Sequence, residues 1–319
     1  MNRTLLAVGV VSLALGSLAA SPAIAQRRRP ARVAPARRAP PPPIEVPGAL
    51  APPASLNEGP DPFGEPPTPI APPVLSGPPV PIVLPVALDV AVGVQLTHRA
   101  LRWSDDIFGE LRPYTLPLAP WITLDATWFP GAHGTDGWLA HLGLYAGVGF
   151  AVGISSSDSL GRTYDTAALD LRGGLRGRLP VGPHSLLVGA GVELRQFTLH
   201  PPDDPNDPGV PSVSYASATL DVDARLRLTP GLALLLGSSA ALPFQLGDLA
   251  DRLFPNVSGA AVELRGGVAW AIGSHLELRA VAAYRRFFLA LNPSPGDRWV
   301  AGGLVDEFAS LSLAVAFRR

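Results

Sequence analysis

Over residues 86–319 bulky hydrocarbon and polar side chains alternate, with charges on the face opposite the large aliphatics. Extended backbone sends successive side chains to opposite sides, so a period of two marks strands with one apolar and one polar face. In the first run, Val86 to Trp103, Leu88, Val90, Val92, Val94 and Leu96 oppose Asp89, Ala91, Gly93 and Gln95. A fourth run sets Leu169, Leu171 and Leu175 against Asp170, Arg172, Arg176 and Arg178. A fifth sets Leu186, Val188, Ala190, Val192 and Leu194 against Gly189, Gly191, Glu193 and Arg195. Similar runs centre on residues 121–128, 142–154, 220–228, 262–272, 276–285 and 311–317, and the run over 232–242 is the weakest because both of its faces are apolar. That makes ten runs, and misreading the weak one or overlooking a paired loop would change the strand number to eight or twelve.

A charge facing the bilayer midplane costs a membrane barrel about 2–4 kcal/mol, which explains a rule that chance would break. The alternation therefore predicts an all-β fold, an antiparallel up-and-down transmembrane β-barrel of about ten strands. No segment of 86–319 reads as a membrane helix: the longest nearly uncharged run, 138–154, carries glycines at strand spacing. Only 16% of residues are charged and mean hydropathy is +0.24, so a large apolar surface must be hidden or given to lipid. All 25 basic residues are Arg and the formal net charge is −1, which gives no bias toward nucleic acid. There is no Cys, which excludes disulfides, thiolate metal sites and a Cys-linked lipid anchor.

Residues 1–25 read as a signal peptide: Arg3, an uncharged core from Leu5 to Ala20, then Ala23-Ile24-Ala25. Cleavage is expected between Ala25 and Gln26, which sends the chain into a Gram-negative envelope. Residues 26–85 hold 20 of the 37 prolines and are expected to be a disordered, Arg/Pro-rich periplasmic segment with much polyproline II character. At its start Arg27, Arg28 and Arg29 could meet an anionic envelope polymer, or be part of a solvated linker.

Connections after the even-numbered runs are short, such as Thr229–Gly231 and Gly273–His275, while those after the odd-numbered runs are longer and polar. That asymmetry fits periplasmic turns and surface loops, with both termini in the periplasm. Two interfacial aromatic belts are expected, Trp128, Phe129 and Phe317 below, and Trp103, Tyr114, Phe197, Phe287, Phe288 and Trp299 above.

The leader, the alternating strands and the closing segment Leu311-Ser312-Leu313-Ala314-Val315-Ala316-Phe317 together resemble small bacterial outer-membrane β-barrel proteins, over residues 86–319. The resemblance implies outer-membrane lipid around the barrel and recognition by the barrel-assembly machinery, although Arg318 and Arg319 follow the terminal aromatic here. It specifies an architecture and no activity.

The inward face carries nearly balanced charge, with glycines such as Gly147 and Gly237 leaving room for long Arg side chains. A lumen filled by ion pairs is expected. If Leu179 opposes Leu186, Arg172 opposes Glu193 and Asp170 opposes Arg195; if Ile272 opposes Leu276, Glu263 opposes Arg285. The expected role is structural or surface-interacting, with no enzyme activity and no cofactor. A narrow porin-like diffusion channel is the alternative, with the Arg ladder as an anion path. A rim-active hydrolase is another: His98 with Asp105 and Asp106, and His200 with Asp203 and Asp204, are the residues that could serve it. A soluble lipid carrier, apolar inside and polar outside, is a third.

Overall fold

The computed structural model describes residues 86–135, 137–157, 163–200 and 210–319. The leader, the Ala25–Gln26 junction, the Arg/Pro-rich segment with Arg27, Arg28 and Arg29, and Asp203 and Asp204 lie outside them.

The described residues form eleven antiparallel strands in ten staves. They are β1 (Leu88–Ser104), β2 (Tyr114–Trp128), β3 (Leu142–Ala151), β4 (Ile154–Ser157), β5 (Thr163–Val181), β6 (His184–His200), β7 (Val213–Arg227), β8 (Leu232–Gln245), β9 (Ser258–Ala271), β10 (Leu276–Ala290) and β11 (Gly303–Arg318). Each pairs with its neighbour, β1 pairs with β11, and β3 and β4 both pair with β5, so the sheet closes on itself. Closure removes the exposed edges that an open sheet must otherwise protect. β3 and β4 are one stave interrupted at Gly153, whose φ of +62° suits a residue without a Cβ. The β5–β6 hairpin turns through Gly182, at φ +60°, and Pro183.

The outer surface of the barrel wall is hydrocarbon: Val94, Leu175, Leu220, Leu242 and Leu311 are each more than half exposed. Apolar exposure running around a closed wall far exceeds the few hundred Å² common on soluble monomers. Through the middle and lower parts of the wall the charged residues of the same strands point inward. This polarity is the reverse of a lipid carrier's and rules that architecture out.

Two expectations need correction. Of the aromatics assigned to interfacial belts, Trp128, Phe288 and Phe317 do face outward, joined by Trp138, Trp270, Phe108 and Phe244. Phe129, Tyr114, Phe197, Phe287 and Trp299 are instead buried inside, and Trp103 packs against the interior core. Tyr114, Phe197 and Phe287 stand on the lumen side of their strands, and side-chain size does not override that parity. The charge rule also fails near the loop-bearing end, where Arg102, Arg286 and Glu307 lie on the outer face. At that height the apolar band has ended.

Candidate functional site

The lumen has two storeys. In the lower one, toward the termini and short turns, a cavity of about 380 Å³ is walled by ion pairs. Its mouth is lined by Val86, Phe129, Arg178 and Arg318, and its ceiling by Trp121, Phe197 and Phe308.

The pairs join into a network across the barrel. Arg176 reaches Asp221 (3.1 Å) and Asp223 (3.2 Å), and Asp223 also holds Arg265 at 2.7 Å. Arg265 meets Glu263 at 2.6 Å, and Glu263 takes Arg285 at 2.7 Å. Arg285 spans the lumen to Glu193, which is 3.9 Å from Arg195, and Arg195 pairs with Asp170. A second group links Arg225 and Arg279 to Glu277, and Arg279 and Arg318 to Asp89. The carboxylates in these groups each face guanidinium donors, the condition under which a buried charge is tolerated.

Asp170 stands opposite Arg195, Glu263 opposite Arg285 and Arg172 opposite Glu193. Arg172 nevertheless binds Asp125 at 2.6 Å and not Glu193. The physical reason is Gly147, which faces Arg172 across the β3–β5 ladder. A Cβ there would strike both Asp125 and Arg172, so its absence opens the way from β5 to β2. Gly237 does the same for Asp223 and Arg265. Arg178 has no carboxylate partner among its hydrogen bonds; it donates to the carbonyls of Val86 (2.6 Å) and Ala140 (3.0 Å) and stacks on Phe129. It ties the start of the barrel to the β2–β3 turn.

The upper storey is hydrophobic. Leu101, Tyr114, Leu116, Tyr164, Phe197, Leu199, Tyr215, Phe287 and Leu304 fill the lumen side of the strands. Above them, connections fold inward: Leu111 from β1–β2, Val210 from β6–β7, Leu246, Leu249, Leu253 and Phe254 from β8–β9, and Leu291, Trp299 and Ala301 from β10–β11. Tyr215 stacks on Phe287 with centroids 4.0 Å apart, and Phe254 meets Trp103 at 5.8 Å. Residues 249–253 form a short π-helical turn whose Leu249 and Leu253 are buried.

Where the storeys meet, Arg99 is fully buried. Its guanidinium donates Nε to Asp306 Oδ1 (3.0 Å) and Nη2 to Oδ2 (2.8 Å), while Tyr215 donates its hydroxyl to the same Oδ2 at 2.8 Å. Its face lies 4.2 Å from the Phe197 ring centroid. The alternation does not single out Arg99 or Asp306 as partners. Their separation of 207 positions in the chain left no local signal.

The described rim candidates make local contacts. His98 Nδ1 bonds the Pro117 carbonyl at 3.1 Å. Asp106 accepts from the Gly109 and Leu111 amides at 3.0 and 2.8 Å, which makes it a loop former. The side chain of His200 is outside the described part. No three metal-ligating side chains cluster among the described residues.

No family model matches the sequence, and no curated protein matches it. Among solved structures, the chain is similar to the outer membrane protease OmpT from Escherichia coli at 10% identity, covering 73% of this chain and 96% of that one with a TM-score of 0.42. It is similar to the translocator domain of the autotransporter NalP from Neisseria meningitidis at 10% identity, with 73% and 88% coverage and a TM-score of 0.40. The attachment invasion locus protein Ail of Yersinia pestis matches at 10% identity, with 73% and 99% coverage and a TM-score of 0.29. These are small bacterial outer-membrane β-barrels, and this chain is a closed ten-stave antiparallel barrel of that general architecture.

Proposed function

We propose that the protein is exported by cleavage after Ala25, inserted into the outer membrane by the barrel-assembly machinery, and works there as a closed, non-conducting, non-catalytic barrel. Its role on this reading is structural, or to present surface loops for interaction. The observation that carries the reading is the hydrophobic storey above the charged cavity. Opening a path through the β8–β9 connection would expose at least Leu249, Leu253 and Phe254, each fully or nearly fully buried. Fully burying such a side chain stabilises by roughly 1.5–3 kcal/mol, so the three together oppose opening by about 5–9 kcal/mol. An open state costing about 5 kcal/mol is populated less than once in about a thousand molecules. Ion pairs alone would not close a pore so firmly, because water and ions can compete for them.

A narrow anion channel remains the reading to beat, since the cavity reaches the terminus-bearing end and is rich in Arg. Planar-bilayer recording of the refolded chain separates the two. The closed barrel yields a flat baseline, whereas sustained unitary currents from the unmodified chain would replace this reading with the channel.

A further inference from the structure

A group of three neighbouring charges stands on the lipid side of the wall, and neither the lumen network nor the cap uses it. They occupy adjacent strands, Arg102 on β1, Glu307 on β11 and Arg286 on β10. Glu307 sits between the two guanidinium groups, 3.5 Å from Arg102 and 3.6 Å from Arg286. Tyr284 donates its hydroxyl to Glu307 Oε1 at 2.6 Å. Arg286 also lies over the outward ring of Phe288, 4.8 Å from its centroid.

Their height is informative. Val90 pairs with Phe317 of the lower aromatic belt, and Arg102 is twelve residues further up β1. Twelve residues of strand at about 3.3 Å each, tilted by roughly 40°, climb about 30 Å. The hydrocarbon core is about that thick, so the three charges reach the headgroups of the leaflet on the loop side. A charge placed there by accident would be neutral to stability. This cluster is organised: the carboxylate holds two guanidiniums side by side, the side chain of Arg102 is 69% exposed, and both ion-pair distances exceed hydrogen-bonding reach. The Arg102 and Arg286 side chains, 69% and 39% exposed, are therefore not used up by the carboxylate, and the group carries one net positive charge. Arg is suited to binding phosphate with two parallel donors.

We propose that Arg102 and Arg286, set in place by Glu307 and Tyr284, form a clasp for a phosphate group of a phosphorylated glycolipid in the outer leaflet. The proposal rests on the outer-membrane reading. Leu96, Leu311 and the rest of the hydrocarbon surface below would meet the acyl chains while the guanidiniums meet the phosphate. The bound lipid would be a fixed part of the barrel's rim.

The test uses the full chain refolded into phosphatidylcholine bilayers that contain diphosphoryl lipid A, the same glycolipid with its phosphates removed, or phosphatidylglycerol. After extraction into mild detergent, retained lipid is measured by native mass spectrometry, and insertion is checked by the heat-modifiable migration of a folded barrel. Wild type should retain diphosphoryl lipid A in preference to the other two. Each of Arg102→Gln and Arg286→Gln should cut retention about fivefold, as expected for loss of one basic residue near an anionic surface. Arg102→Lys should keep part of the binding, and each variant must show wild-type heat-modifiable migration to count. Equal retention of the dephosphorylated glycolipid, preference for phosphatidylglycerol, or indifference to both Gln variants in a correctly inserted barrel would overturn the clasp alone. Failure of the wild-type chain to insert into any of the bilayers would instead remove the membrane reading and the clasp with it.

Discussion

Asp306 on β11 binds Arg99 on β1 through both carboxylate oxygens, at 3.0 and 2.8 Å, with neither side chain exposed to solvent. The pair is the floor of the hydrophobic storey and the roof of the charged one. Removing one member of such a pair leaves an uncompensated buried charge, which costs about 3–5 kcal/mol. Asp306→Ala should lower unfolding stability in lipid vesicles by that amount, measured by urea titration. The double substitution of Arg99→Met with Asp306→Leu should lose much less, because packed apolar groups replace both charges at once. A single variant no weaker than the double would show that the pair is already hydrated and not buried.

The β8–β9 connection is expected to be the gate if the barrel has one. Its own Leu249 and Phe254 are wholly buried. Replacing residues 247–256 with a glycine-serine linker removes these anchors while leaving the staves intact. The replaced chain should show unitary currents in planar bilayers where the native chain shows none. Absence of current would mean that the apolar side chains on the strands, such as Phe197 and Phe287, seal the lumen without help from the loop.

Glycine placement gives a matched pair of substitutions. A Cβ at Gly147 meets Asp125 and Arg172, whereas one at Gly266, on the outer face of β9, meets nothing within 4 Å. Gly147→Val should cost about 1–3 kcal/mol by overpacking and by forcing the ion pair apart. Gly266→Val should be neutral or stabilising, since it adds hydrocarbon to a lipid-facing position and restricts the unfolded chain. Urea midpoints of the two proteins, compared with wild type, give the answer directly. Equal destabilisation at both positions would mean that strand geometry, and not the Arg172 passage, requires glycine.

The lower half of the barrel is legible in the sequence because its two faces differ chemically. Leu171 beside Arg172 or Leu264 beside Glu263 marks in from out at a glance. The upper half loses that contrast. Tyr114 and Leu116 point inward on β2, yet outward Leu118 is just as apolar. The same masking hides the starts of β7 at Val213 and β11 at Gly303, several residues before the alternation becomes visible. Alternation alone therefore makes the upper aromatics a belt, whereas all but Phe288 form a cap. Register followed from hairpin turns, but the actual partner of Arg172 did not, because a side chain that passes over a glycine reaches two strands away. Arg286 and Glu307 lie outside the runs 276–285 and 311–317, and Arg102 lies beyond Leu96, where the alternation of the first run ends, so only the folded wall reveals that they converge.

Sidedness is the relationship on which the membrane assignment stands, and it can be tested at two consecutive residues. Val94 is 61% exposed on the outer face and Gln95 lines the cavity. The chain has no Cys, so each position can carry a unique thiol. In bilayers, a lipid-soluble thiol reagent should modify Val94→Cys rapidly and Gln95→Cys slowly, and a small charged reagent added to the aqueous phase should show the opposite preference. Val94→Arg should further cost about 2–4 kcal/mol, the penalty for a guanidinium near the bilayer midplane. Gln95→Arg should cost less, because Gln95 faces an aqueous cavity that already accommodates arginines. Faster modification of position 95 than of position 94 from within the bilayer would mean that the wall faces the other way, and an inverted wall leaves no lipid-facing surface for a membrane protein to use.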